Sequence, residues 1–191
     1  LAAMSKAFLD KFSHYRQQID TLRNQNKAYD DAKTFADDIK AAKQALKDAE
    51  DTILRNIESM INSQMTRYND FVYNQTRKAP EINLFDGTRY EFTTPDDTGT
   101  GTSYKSLIVF DLSILKLTQL PTLIHDSLIF NDIGYAPLEK IMELYTQSSK
   151  QIFIAFDKKE APTKAIQKIL DSASILHLSS DGNELFGENW G

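Results

Sequence analysis

Three places in the second half of the 191-residue chain carry groups able to handle a phosphate. The first is the Gly-rich run Asp97-Thr98-Gly99-Thr100-Gly101-Thr102-Ser103, just ahead of an apolar helix read from about Ser103 to Lys116. Backbone N–H groups at such a turn, with the positive end of the helix dipole behind them, form a natural anion site. A plain helix start capped by Thr or Ser is the competing account of the same residues. The second place is Leu120-Pro121-Thr122-Leu123-Ile124-His125-Asp126-Ser127, an apolar strand ending in Asp126. The third is Gln151-Ile152-Phe153-Ile154-Ala155-Phe156-Asp157-Lys158, a second apolar strand ending in Asp157. A carboxylate at the C-terminal edge of a parallel sheet stands where open α/β folds bind ligands, and there it can hold Mg²⁺ through water. In one sheet the two strands would set Asp157 near Asp126, beside a terminal phosphate. Either strand exit taken alone is an ordinary place for a solvated charge, and it is their order and spacing behind the Gly-rich helix that give them weight.

Several other chemistries are excluded. Setting Gly99 at the first glycine of G-x-x-x-x-G-K-[ST] puts Tyr104 at the second, so the run is not a P-loop despite the following Lys105 and Ser106. His125 adjoins Asp126, but neighbouring strand residues point to opposite faces, so a packed and hydrogen-bonded histidine is the reading rather than an acid/base pair. His14 and His177 offer no ligand spacing, and no metal site is read beyond nucleotide-bound Mg²⁺. No nucleophile elbow or Ser-His-Asp order supports a nucleotide-independent hydrolase.

The elements that must position these groups fall into two parts. Residues 1–77 contain no Pro and no Gly. Apolar residues recur there at spacings of four and three: Phe8, Phe12, Tyr15, Ile19, Leu22, then Phe35, Ile39, Ala42, Leu46, Ala49, Ile53. That is the seam of a coiled-coil arm. The two runs are out of phase, and Asn24-Gln25-Asn26-Lys27 between them predicts a break, as a hairpin turn or a stutter, with one continuous helix as the alternative. After Pro80 the period becomes two, and Asp86-Gly87 predicts a β-hairpin joining the segments around Ile82-Leu84 and Tyr90-Phe92. Helices and strands then alternate: helix 103–116, strand 121–126, helix 135–149, strand 151–156, helix 161–172, strand 174–178, with a closing hairpin at Asp181-Gly182. The fold class is therefore α/β, a mostly parallel sheet with flanking helices over residues 78–191, preceded by a long α-helical arm over 1–77.

Composition is that of a soluble globular chain, 41% hydrophobic and 26% charged. No apolar run approaches the ~20 residues that span a bilayer, so no membrane role is read. The absence of cysteine excludes disulfides and thiolate metal sites and fits a cytoplasmic protein. Residues 1–77 hold 12 Lys and Arg against 11 Asp and Glu, and the remainder 10 against 16, net charges of +1 and −6 that total −5. An acidic α/β half is a poor match to a nucleic-acid backbone. The chain starts at Leu1 rather than Met, which is read as a sign of a fragment or processed product.

The Gly99–Leu112 run, the Leu120–Ser127 segment and the Lys150–Ala155 segment, behind a helical arm, resemble the C-terminal lobe of SMC-like and RecN-like ABC ATPases. More closely, they look like an uncharacterised bacterial domain family at the C-terminal end of such ATPases, some of them in multi-component defence systems. The resemblance covers about residues 78–191. It implies that Thr98, Gly99, Thr100, Gly101, Thr102 and Ser103 occupy the signature position, reaching the γ-phosphate of ATP on a second subunit. Asp126 would be the Walker B aspartate holding Mg²⁺, Asp157 would stand at the switch-loop histidine position, and Asn131-Asp132 near the D-loop. The cofactor implied is Mg-ATP in the complete protein, with none expected for this chain alone, which lacks a Walker A motif. Implied partners are an N-terminal ATPase lobe or a second copy, a coiled-coil partner helix, and DNA in a full assembly serving repair or defence. The departures bear on hydrolysis: Gly99 has no signature hydroxyl, Ser127 replaces the expected glutamate, and Asp157 is not histidine. A non-catalytic coiled-coil scaffold and a self-contained phosphate-ester enzyme using Asp126 and Asp157 are the competing readings.

Overall fold

The computed structural model describes residues 6–96, 99–157, 163–179, 183, 184 and 187. Its contacts divide the chain into two compact units, Leu1–Ile53 and Leu54–Gly191. The division falls inside the first helix, α1 (Lys6–Tyr73), and not at Arg77 where the change in sequence pattern had placed it. The cause is packing: Ile61, Met65, Asn69 and Val72 of α1 are buried in the second unit's core.

In the first unit every described side chain except the half-buried Asp51 is exposed. The helix there rests on propensity and on local bonds such as Gln44 Nε2 to Asp48 Oδ1 at 2.8 Å, each worth only tenths of a kcal/mol. The break expected at residues 24–27 is absent, because α1 runs through them without interruption. An Asn costs at most about 0.7 kcal/mol against Ala, too little to stop a helix that lacks Gly or Pro. The phase slip between the two apolar runs is instead taken up as a change of face. Phe8, Phe12, Tyr15, Ile19, Leu22, Phe35, Ile39, Leu46 and Ile53 are all exposed.

The second unit begins where α1 becomes buried. Strands β1 (Glu81–Leu84) and β2 (Tyr90–Thr93) pair antiparallel in the predicted hairpin, with Leu84 opposite Tyr90. Asp86 closes its turn, its Oδ1 accepting from Thr88 N, Thr88 Oγ1 and Arg89 N, each at 2.8 Å. Two α1 side chains secure β1: Asn62 both donates to Ile82 O and accepts from Ile82 N at 2.9 Å, and Glu58 accepts from Leu84 N at 2.7 Å.

Helix α2 (Thr100–Leu117), strand β3 (Thr122–His125), a 3-10 turn (Ser127–Phe130), helix α3 (Tyr135–Thr146), strand β4 (Gln151–Ile154) and helix α4 (Lys164–Ala173) follow. Strands β3 and β4 are parallel, with Ile124 opposite Phe153 and His125 opposite Ile154. Their inner face, with α2, α3, α4 and the 3-10 turn, forms a core around Ile108, Leu112, Phe130, Leu138, Ile141, Met142, Tyr145 and Ile166.

The expected mostly parallel sheet is not formed among the described residues, which give two separate two-stranded sheets, one parallel and one antiparallel. Residues 174–178 are not a strand. Among the described residues they have no ladder partner, Ile175 is 85% exposed, and an isolated antiparallel bridge joins Ser179 to Asn183. The Asp181-Gly182 turn lies outside the described residues.

Candidate functional site

The parallel pairing of β3 and β4 brings both strand exits to one end of the sheet. The ladder extends one step beyond the strands, where Ala155 N donates to His125 O at 2.9 Å. Asp126 follows at once in extended backbone, φ −88° and ψ 157°, as N-cap of the 3-10 turn. Its Oδ1 accepts from Ser127 N at 2.7 Å and from Ser127 Oγ at 3.3 Å. Among the described residues Oδ2 makes no hydrogen bond, and the residue is exposed. Asp157 lies three positions past the end of β4 and is also exposed.

Helix α2 starts at Thr100, earlier than the sequence reading, so Thr100 to Ser103 form its first turn. Gly99 is the N-cap, and its carbonyl accepts from Ser103 N at 3.0 Å. Gly99, Thr100 and Ser103 are exposed, whereas Thr102 is buried. Gly101 is required for a different reason: a Cβ there would lie 2.2 Å from Asp132 O. Glycine allows that backbone approach, and it sets the start of α2 directly on the Asn131-Asp132 segment. Thr98 lies outside the described residues.

Behind this edge are groups that the sequence reading did not connect. His125 is buried, with Nδ1 2.6 Å from Tyr145 Oη and Nε2 3.0 Å from Asp111 Oδ2. An ionised Asp111 accepts only, so Nε2–H donates to it and Nδ1 accepts from Tyr145 in the neutral imidazole. Burial, and secondarily the Asp111 charge, pushes the Tyr145 hydroxyl far above its ordinary range and keeps it a donor. His125 thus is the packed, hydrogen-bonded histidine read from strand geometry. Its partners lie 14 and 20 residues away, and the one available signal was a carboxylate within the apolar run Ile108-Val109-Phe110-Asp111-Leu112.

Lys105 is 1% exposed, and its Nζ donates to Asn69 Oδ1 at 3.1 Å while lying 5.2 Å from the centroid of the Tyr73 ring. Asn69 Nδ2 in turn donates to Arg77 O at 2.8 Å, so one buried amide joins α2 to the end of α1. Among the described residues no group of three or more His, Asp or Glu side chains could hold a metal ion. No described helix is long and apolar enough to cross a membrane.

A protein-family profile described as "Uncharacterised protein conserved in bacteria (DUF2326)" matches residues 68–190, well over half of the chain. Among solved structures, the chain resembles one from "Structural biochemistry of ATP-driven dimerization and DNA stimulated activation of SMC ATPases", with a TM-score of 0.50 and 13% identity. That match covers 70% of this chain and 84% of the other. A second resemblance is to "Crystal structure of the SmcHead bound to the C-winged helix domain of ScpA". Its TM-score is 0.46 at 14% identity, covering 60% of this chain and 38% of that one. No curated protein sequence matches. At 13% identity the first likeness is one of fold.

Proposed function

We propose that this chain, which belongs to the bacterial family described as "Uncharacterised protein conserved in bacteria (DUF2326)", is the C-terminal lobe of an SMC-like ATPase and supplies half of a composite ATP site. The observation that carries the reading is the state of the β3–β4 pair. Parallel sheets are covered on both faces, yet here Ile124 and Phe153, opposite one another in register, are 71% and 40% exposed. The two carboxylates stand at the C-terminal end of this half-covered pair. An N-terminal lobe that covers Ile124 and Phe153 and brings a Walker A loop completes both the sheet and the site.

The residues present fit Mg-ATP. Mg²⁺ is held by one or two carboxylates together with phosphate oxygens and water, and Asp126 offers one carboxylate oxygen already oriented through Ser127 and a second without a hydrogen bond among the described residues. Bound there, Mg²⁺ would neutralise phosphate charge. Asp126 would orient it, and Gly99, Thr100 and Ser103 at the start of α2 would face the γ-phosphate of ATP on a second copy. Asp157 would flank that phosphate through water, since a bare carboxylate beside it is repulsive. Ser127 is a poor general base, so the site supports nucleotide-dependent closure better than rapid turnover. Any DNA ligand of the assembly would meet surfaces other than residues 78–191, whose net charge is −6. The test is the Asp126→Ala variant of the full-length protein, expected to lose Mg²⁺-dependent ATP binding. Wild-type binding by that variant would remove Asp126 from the site.

The exposed apolar residues of α1 favour a second role alongside the first. Phe35, Ile39, Leu46 and Ile53 at coiled-coil spacing are surface that a partner helix would cover.

A further inference from the structure

Both candidate carboxylates are preceded by an inward-facing ring, and those two rings are joined. His125, before Asp126, bonds through Nδ1 to Tyr145 Oη at 2.6 Å, and the two rings meet edge to face with centroids 5.7 Å apart. Tyr145 meets Phe130 edge to face at 6.3 Å, and Phe130 packs against Phe156 at 5.9 Å. Phe156 is the residue before Asp157. The connection therefore runs from one strand exit through α3 and the 3-10 turn to the other. Tyr145 and Phe130 are buried, so neither ring has room to turn, and edge-to-face pairs fix mutual orientation as well as area. Among the described residues the backbone pairs the exits only as far as Ala155 N and His125 O. Beyond that rung, side chains must set how far apart Asp126 and Asp157 sit.

We propose that Tyr145 is a positioning residue that holds Asp126 and Asp157 at a fixed spacing, by its hydrogen bond to His125 and its ring contact through Phe130 to Phe156. The proposal rests on the reading that these carboxylates face a nucleotide-bound divalent cation. Tyr145 touches neither metal nor phosphate. It acts from behind, as outer-shell partners of metal ligands do, where substitutions typically weaken metal binding by about tenfold or more. Removing the hydroxyl leaves the His125 ring, next to Asp126 in the chain, held by Asp111 alone, while the Phe130 contact remains. Removing the ring as well releases the Asp157 side.

The test uses the full-length protein, with Mn²⁺ as the cation because its resonance spectrum reports binding directly. Mn²⁺ is titrated at saturating ATP into wild type, Tyr145→Phe, Tyr145→Leu and, as a packing control, Leu138→Ala from the same helix. Tyr145→Phe is expected to weaken Mn²⁺ binding about tenfold and Tyr145→Leu further, with ATP affinity in the absence of divalent cation changed less than about twofold. Leu138→Ala, which loses core packing alone, is expected to melt earlier and bind Mn²⁺ as wild type does. Wild-type Mn²⁺ binding by both Tyr145 variants would overturn the proposal and leave the ATPase reading standing, as would an equal loss in Leu138→Ala. Absence of ATP-dependent Mn²⁺ binding in the wild type would overturn both.

Discussion

Gly101 sits so close to Asp132 that a Cβ on it would come within 2.2 Å of the Asp132 carbonyl oxygen. The obstructing atom is backbone, so α2 or the segment after the 3-10 turn must move to admit even a methyl group. Gly101→Ala is expected to destabilise the second unit by about 1–3 kcal/mol, the usual cost of overpacking, although Ala is otherwise the better helix former. Denaturant unfolding checks this, and a stabilised variant would show that the contact is looser than described.

Helix α1 is joined to α2 by Asn69, which takes the Lys105 ammonium on one side and gives to Arg77 O on the other. Asn69→Ala deprives a buried cation of one acceptor and the Arg77 carbonyl of a donor. The expected loss is about 2–4 kcal/mol, because groups deprived of partners inside a protein keep their desolvation cost. Asn69→Asp, which keeps an acceptor for Lys105 but cannot donate to Arg77, should fall between. Chemical denaturation of the three proteins gives the order.

Asp86 organises the hairpin turn through hydrogen bonds from Arg89 first and then Thr88, which hold its carboxyl well below the usual carboxylate range. A depressed folded-state pKa contributes stability that is present above the unfolded value, about 4, and is lost as pH falls through the folded one. The hairpin should therefore loosen only in strong acid. Hydrogen exchange at Thr88 and Arg89 amides is expected to hold down to about pH 4 and rise below it. Measured as protection relative to the intrinsic exchange rate at each pH, this loss should disappear in Asp86→Asn, and protection that does not change below about pH 4 in the wild type would contradict the assignment.

How much was legible in the sequence follows from where the determining interactions lie. The hairpin, the start of α3, and β3 and β4 were readable because Asp86-Gly87 and short β-branched runs act locally. The hairpin alternative at residues 24–27 is not formed, because two Asn residues in a Pro- and Gly-free context are too weak a signal to stop a helix. Strand 174–178 failed for a non-local reason: a strand needs a neighbour, and the described residues offer Ile175 none. At the candidate site, Asp126 and Asp157 could be placed from strand ends. The Asp111–His125–Tyr145 chain could not, since its members are far apart in sequence and share no local pattern.

The exposed pair Ile124 and Phe153 should matter little to this chain and much to its completion. Ile124→Ser with Phe153→Ser is expected to change the chain's own stability by less than about 1 kcal/mol, the usual range for two surface substitutions. The same double variant should lose association with the N-terminal lobe, measured by sedimentation of the mixed proteins. Unchanged association would show that the covering layer lies elsewhere.

The proposed composite site is tested most directly by calorimetric titration of Mg-ATP into this chain alone and into this chain mixed with the proposed N-terminal lobe. Binding confined to the mixture is the predicted result, since this chain brings Asp126, Asp157 and the start of α2 but no Walker A loop. Absence of binding in the mixture, with both parts folded, would contradict the account and leave the likeness to SMC ATPases as one of fold alone.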